Sequence, residues 1–220
     1  LSARPEDLSV FQREQPYEIK RGSTRSVPFD FPRFVLNPLS VKAFNTVFYG
    51  HHYTRPGAVA DYDAYFYPLD SIHNWNRMYG KAGFIQYQAT FPDDQVRGVV
   101  RTLEALSASR RPSFLAVLKC FGEANPGLLS HPFKGYTLTL DIANRRGLRD
   151  FLKELDRILL DHGGRLYLAK DAVTDAETFR AMYPRIDAFR AVKERLDPAG
   201  RFSSSMARRL GLTATGGGAL

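Results

Sequence analysis

The chain has 220 residues, 44% of them hydrophobic and 25% charged, which is enough apolar material for a sizeable core and excludes wholesale disorder. A formal net charge of +8 favours an anionic partner: a phosphate-bearing ligand, nucleic acid or an anionic membrane surface. The single cysteine, Cys120, excludes a disulfide framework and a cysteine-built metal site. No apolar run nears the roughly 18 residues of a membrane span, and residues 1–11, LSARPEDLSVF, lack the basic start and apolar stretch of a signal peptide. A basic, reduced protein is expected, cytoplasmic or peripheral at the inner membrane.

In chain order, residues 1–65 form an irregular or extended N-terminal region, the first 45 mixing Pro, Arg, Phe and Ser without a sustained period. Residues 46–80 are dense in aromatics: Phe48, Tyr49, Tyr53, Tyr62, Tyr65, Phe66, Tyr67, Trp75 and Tyr79. They also carry Pro56, Gly57 and Pro68 and fit neither helix nor strand, so they read as a lid or as a loop pinned to the core by its rings. From Gly83 the pattern sharpens. Residues 84–91, FIQYQATF, alternate as a strand. Asp93 and Asp94 then open a helix with Val96, Val99, Val100, Leu103 and Leu106 on one stripe, broken at Arg110-Arg111-Pro112. Ser113–Cys120 is a second strand.

The same order recurs: a strand at Tyr136–Ile142, then a helix carrying Leu148, Phe151, Leu152, Leu155, Ile158 and Leu159 that stops at Gly163-Gly164. A strand at Arg165–Ala169 follows. Two such units, about fifty residues apart, suggest a duplication. The expected fold is α+β: ferredoxin-like β-α-β units in an antiparallel sheet with helices on one face. Residues 66–165 form this domain. In segment 166–210, Thr174 with Glu177 predicts a capping box and a helix to Tyr183-Pro184. Another helix covers Asp187–Leu196, Arg201–Leu210 is a short basic helix or arm, and the low-complexity residues 211–220 form a disordered tail.

If helices cover one face of the sheet, the other meets something else. Gln86 and Gln88 share a face, as do Leu115, Val117 and Lys119, and Thr137, Thr139 and Asp141. Amides, hydroxyls and an ammonium over aliphatic side chains suit a small polar ligand, whereas a merely solvated face would carry more Glu, Lys and Arg. Lys119 could reach for water or bind an anion. Lys170, at the end of the strand LYLA, is open to the same two readings. His51, His52, His73, His131 and His162 have no metal-ligand spacing, so no metal is expected. Cys120 reads as a core packer.

Several motifs, in order and spacing, resemble one family. They are FYPLD (66–70), NWNRMYG (74–80), GFIQYQ (83–88), FLAVLKCFG (114–122), LLSHPFKGY (128–136), GGRLYLAKD (163–171), DAETFRAMYPR (175–185), LDPAGRF (196–202) and SSMARRL (204–210). The family is the decaprenylphosphoryl-β-D-ribose oxidases, within the vanillyl-alcohol-oxidase superfamily of FAD enzymes. The resemblance covers residues 66–210 and implies the C-terminal half of a longer protein. There a separate N-terminal FAD-binding domain holds the cofactor, and 166–210 returns to complete it. FAD is thus the implied cofactor of the complete enzyme and is not expected to be held by this chain alone.

By the same resemblance Tyr167 and Lys170 approach the flavin ring, with Lys170 as the catalytic cation at its N1–C2=O edge. Gln86, Gln88, Leu115, Val117, Lys119, Thr137, Thr139 and Phe66 line the substrate site, Lys119 next to a phosphate. Thr139 stands where the family has cysteine, Thr137 where it has asparagine, and Phe66 where a tyrosine is usual, so the pocket differs while the flavin contacts do not. The implied reaction oxidises a secondary alcohol of a sugar, a polyprenyl-phospho-pentose in cell-wall biosynthesis. The implied partners are an NAD(P)H-dependent reductase that completes an epimerisation and the surface of an anionic membrane. A sugar, polyol or aldonolactone oxidase of the same superfamily is the alternative. A basic RNA-binding module is a remote one: Lys134-Gly135-Tyr136 begins like an RNP1 motif, but Thr137, Leu138, Thr139 and Leu140 supply no stacking aromatics, so no nucleic acid is expected.

Overall fold

A computed structural model describes residues 4–15, 24–53, 59, 65–67, 69–111 and 113–213. The chain parts into two compact units, Leu1–Gly83 and Phe84–Leu220.

In the first unit, helix α1 spans Val10–Glu14 and α2 spans Pro38–Tyr53. The sequence reading expected irregular chain and loop where α2 stands. Its apolar residues run round the helix without a clean stripe, so the period is masked, but its start is marked. Asn37 Oδ1 accepts from the backbone N–H groups of Leu39 at 2.8 Å and Ser40 at 3.1 Å, with Pro38 in the first turn. Strands β1 (Arg25–Ser26) and β2 (Ile72–His73) pair in parallel, tying together segments on either side of residue 65. The Arg77 guanidinium donates to the carbonyls of Val27 and Pro28, which anchors the short 3₁₀ turn Trp75–Tyr79. Pro56, Gly57, Tyr62 and Pro68 lie outside the described residues.

The second unit is built on four antiparallel strands: β3 (Phe84–Pro92), β4 (Ser113–Phe121), β5 (Gly135–Ala143) and β6 (Arg165–Leu166), in the order β4-β5-β3-β6. Helix α3 (Val96–Ala108) links β3 to β4, and α4 (Leu148–Asp161) links β5 to β6. Both pack on one face of β3 and β5. Tyr87, Ala89 and Phe91 of β3 and Leu138, Leu140 and Ile142 of β5 meet Val99, Phe151, Leu152, Leu155 and Leu159 in one buried core. These residues alternate on the strands and recur at helical spacing on α4, so burying the two stripes against each other forms the layer, to which α3 adds Val99. Gly135 is required where β5 begins, because a Cβ there would lie 2.0 Å from the Phe91 carbonyl oxygen. Beyond the sheet come α5 (Ala176–Met182), α6 (Ile186–Leu196) and α7 (Ser205–Arg209).

Four local expectations are corrected. The last strand stops at Leu166 rather than Ala169: the Tyr167 N–H still donates to Gln88 O at 2.9 Å, but a 3₁₀ turn, Leu168–Lys170, then bends the chain away. The cap of α5 is Asp175, whose carboxylate accepts from Thr178 N at 2.9 Å, and not Thr174. Cys120 is exposed instead of packed in the core, because α3 and α4 cover β3 and β5 and leave the same face of β4 bare. Finally, Leu210 and Leu212 are buried in the core, so the packed chain runs past residue 210, while 214–220 fall outside the described residues. Among the described residues no helix is long and apolar enough to cross a membrane.

A candidate polar ligand site on the helix-free face

The sheet register places the sequence-selected side chains in rows. On the face away from α3 and α4, Gln86 stands opposite Asp141, Gln88 opposite Thr139, and Thr90 opposite Thr137. On the next strand Val117 faces Thr139 and Lys119 faces Thr137. Gln86, Gln88, Thr137, Thr139, Val117 and Lys119 are therefore brought together on one surface. Leu115 falls at an irregularity between Ser113 and Ala116, where β4 carries one extra residue and strict alternation fails. Phe66 belongs to the first unit, where its exposed ring meets Tyr65 edge-on.

The rows are bonded internally. Gln86 Nε2 donates to Asp141 Oδ1 at 2.6 Å, Gln88 Nε2 donates to Thr137 Oγ1 at 3.2 Å, and that hydroxyl donates to the Ala89 carbonyl at 3.2 Å. Thr137 and Asp141 are fully buried, Thr139 nearly so, and Gln86 and Gln88 are half-buried. Burial raises the pKa of the Asp141 carboxyl, opposed by the Gln86 amide and by the positive charge of Lys170. Lys119 and Lys170 both carry exposed ammonium groups.

Lys170 is delivered by structure that its own sequence barely announces. The turn closes with the Lys170 N–H on Tyr167 O at 2.9 Å. Asp171 pins the following residues: its Oδ1 accepts from Val173 N and Thr174 N, both at 3.0 Å, and its Oδ2 pairs with Arg209 Nη2 at 2.8 Å. Arg209 also donates to the Thr174 carbonyl. At the sheet edge a narrow cleft between β3, α4 and this segment is lined by Gln86, Gln88, Tyr167, Lys170 and Asp171, together with Tyr87, Leu152 and Asp156 from the helix side. Asp156 accepts from the Tyr87 hydroxyl at 3.0 Å, and burial raises its pKa to about 6.

Sequence reasoning overlooked His131, Asp171 and Arg209. His131 Nε2 lies 2.8 Å from Thr90 Oγ1, and its ring lies against Tyr167 at 4.8 Å between centroids. Asp171 had a signal, since Asp two and three residues before a turn's N–H groups is a common local bond. His131 and Arg209 had none, because both act across long separations in the chain.

Residues 128–210 match the family described as D-arabinono-1,4-lactone oxidase. Decaprenylphosphoryl-beta-D-ribose oxidase of Mycolicibacterium smegmatis is 38% identical over 210 residues, covering 96% of this chain and 46% of that protein. The chain is a partial relative of that oxidase. L-gulono-1,4-lactone dehydrogenase of Mycobacterium tuberculosis is 24% identical over 133 residues, 59% of this chain and 31% of the dehydrogenase. The chain thus spans less than half the length of either oxidoreductase. The lactone-oxidase segment contains His131, Thr137, Thr139, Tyr167, Lys170 and Arg209, whereas Gln86, Gln88 and Lys119 precede it.

Proposed function

We propose that this chain is the substrate-binding part of an FAD-linked oxidoreductase that oxidises a secondary alcohol of a sugar, with a polyprenyl-phospho-pentose as substrate. The observation that carries the reading is the set of buried and half-buried amides, hydroxyls and a carboxylate on the helix-free face, ending at two exposed ammonium groups. Hydroxyl-rich ligands are recognised by such fixed donors and acceptors, because an unmatched polar group in a partly dry site is costly. The two β-α-β units are read as halves of an ancestral duplication whose open sheet face became the binding surface.

The residues fit a flavin at one end of this surface. Tyr167 offers a half-exposed ring and Lys170 a cation beside it, which suit the planar ring system and its electron-rich edge. FAD, when bound by the remainder of the enzyme, supplies hydride acceptance. With FAD bound, Lys170 would stabilise the negative charge of the ring that accepts hydride, and Gln86 and Gln88 would hold the sugar hydroxyls. Lys119, beyond Val117 and opposite Thr137, meets the phosphate. A reductase using NAD(P)H and a membrane-held lipid substrate belong to the same reading. Oxidation of an aldonolactone or free sugar is the second reading, favoured by the lactone-oxidase match over 128–210, and it leaves Lys119 without a phosphate.

Rapid mixing of the complete flavoenzyme with lipid-phosphate-linked and free sugars separates the two. Lys170→Ala should slow flavin reduction at least tenfold for either substrate. Lys119→Ala should raise KM at least tenfold for a phosphorylated sugar and leave kcat near wild type. An unchanged KM for phosphorylated substrates transfers the assignment to the lactone-type reading. Flavin reduction at the wild-type rate in Lys170→Ala defeats both.

A further inference from the structure

His131 is a buried polar group on the helix-free face to which no role above gives a use. It is 5% exposed, enters from the loop between β4 and β5, and places Nε2 at 2.8 Å from Thr90 Oγ1. Thr90 is fully buried and lies in the middle of the sheet, in register with Thr137 on one side and Arg165 on the other. On the other side of the imidazole lies Tyr167, its ring tilted by 39° at 4.8 Å, and Phe121 closes edge-on at 5.8 Å. The ring is therefore clamped between a rigid strand and a residue that the sheet holds only by its backbone.

Tyr167 needs such a clamp. Its N–H is the last bond to β3, and the next turn closes from Lys170 N to Tyr167 O. Whatever fixes residue 167 fixes the start of the turn that carries Lys170. Burial lowers the His131 pKa to about 4, opposed by the Leu166 carbonyl and helped by the Arg165 guanidinium, so the clamp is neutral and adds no charge beside Lys170.

We infer that His131 is a positioning residue: anchored on Thr90 and stacked on Tyr167, it fixes the Tyr167 ring and, through the following turn, the ammonium of Lys170. This rests on the reading of Tyr167 and Lys170 as flavin-facing, so the test has one arm that needs no flavin. In the 220-residue chain, NMR of the Tyr167 ring, assigned by its disappearance in Tyr167→Phe, reports the stack directly. His131→Ala should move the Tyr167 ring signals towards their unstacked positions, and His131→Phe should keep them shifted. His131→Phe leaves the Thr90 hydroxyl buried without its partner, so adding Thr90→Val should restore the lost stability. If His131→Ala fails to fold, His131→Leu preserves the volume and replaces it.

In the complete flavoenzyme, His131→Ala should slow flavin reduction about tenfold with substrate affinity changed less than twofold, and His131→Phe should recover most of the rate. Tyr167 signals that do not move in His131→Ala overturn the inference, as does a phenylalanine variant no faster than the alanine one. If the stack is lost but flavin reduction holds at the wild-type rate while Lys170→Ala slows it, the positioning role falls and the proposed function stands. If Lys170→Ala is also at wild-type rate, the proposed function falls, and the positioning role with it.

Discussion

Beside the exposed lysine of the cleft, Asp171 shows how one side chain can set another. Its carboxylate is almost fully buried, bonds two backbone N–H groups of its own turn, and pairs with the partly exposed Arg209 of α7. The bonds separate by substitution. Asp171→Asn keeps an oxygen for Val173 and Thr174 but turns an amide donor towards the Arg209 guanidinium, losing both the charge and the acceptor there. Asp171→Ala loses the backbone bonds as well. We expect a cost of about 1 kcal/mol for the asparagine and about 2–4 kcal/mol for the alanine, since an ion pair with one exposed partner is worth little while two unmatched buried N–H groups are expensive. Urea unfolding of the two variants checks the order. Equal costs would place the stabilisation in the Arg209 pair. Lys170 needs no partner for this: its position is inherited from the residue behind it.

At the scale of elements, α3 lies against β3 because Gly98 lets it. A Cβ at Gly98 would stand 2.5 Å from the Phe91 ring and 2.6 Å from the His162 ring. Gly98→Ala gains up to about 1 kcal/mol of helix propensity, yet must push the helix off a fully buried phenylalanine at a cost of about 1–3 kcal/mol. Overpacking wins, and the variant should be less stable by about 1–2 kcal/mol in thermal unfolding. An unchanged or raised Tm would mean that α3 shifts freely on the sheet. The same elements show what the sequence made legible. The stripe Leu148, Phe151, Leu155 marked α4, because that helix buries one face and leaves the other in water; on α3 the expected stripe is only partly realised, with Val99 buried and Leu106 packed against the core while Val96, Val100 and Leu103 are exposed. The polar rows were legible for the matching reason on strands: period two put Gln86 with Gln88 and Thr137 with Thr139, and the register then brought the two pairs together. Helix α2 was missed because its apolar residues do not keep to one side, leaving only Asn37-Pro38 as a marker. Strand β6 was found but drawn too long, because LYLA is a good strand sequence whose end is decided by a turn and not by composition. His131 could not be found from spacing, since it comes from a loop and acts on Thr90 and Tyr167 far along the chain.

For the molecule as a whole, two buried groups pull the pH dependence of stability in opposite directions. Asp156 has its pKa raised from 3.8 to about 6, chiefly by burial, with Asp171 and Asp175 adding to it against the Thr174 and Tyr87 hydroxyls. The folded state holds that proton longer than the unfolded one, so stability falls as pH rises from about 4 to 6, by about 3 kcal/mol. His131 has its pKa lowered from 6.5 to about 4. The unfolded state takes up that proton first, so stability falls as pH drops from about 6.5 to 4, again by about 3 kcal/mol. The two slopes nearly cancel between pH 4 and 6.5. Asp175 and Asp197, whose carboxyls are held below their ordinary value by backbone N–H groups and Lys193, lose their stabilisation only below this window. Asp141, raised by burial, acts in the same direction as Asp156. The stability of the wild type in urea unfolding across pH 4 to 6.5 should therefore change far less than either slope alone, falling slightly as pH rises because Asp141 adds to Asp156. Asp156→Asn keeps an acceptor for the Tyr87 hydroxyl and removes one slope, so it should be more stable than wild type at pH 6.5 by about 3 kcal/mol and lose that advantage by pH 4. His131→Phe should show the reverse slope, gaining stability as the pH is lowered. Parallel curves for the wild type and both variants would show that neither group titrates in the folded chain as its burial requires.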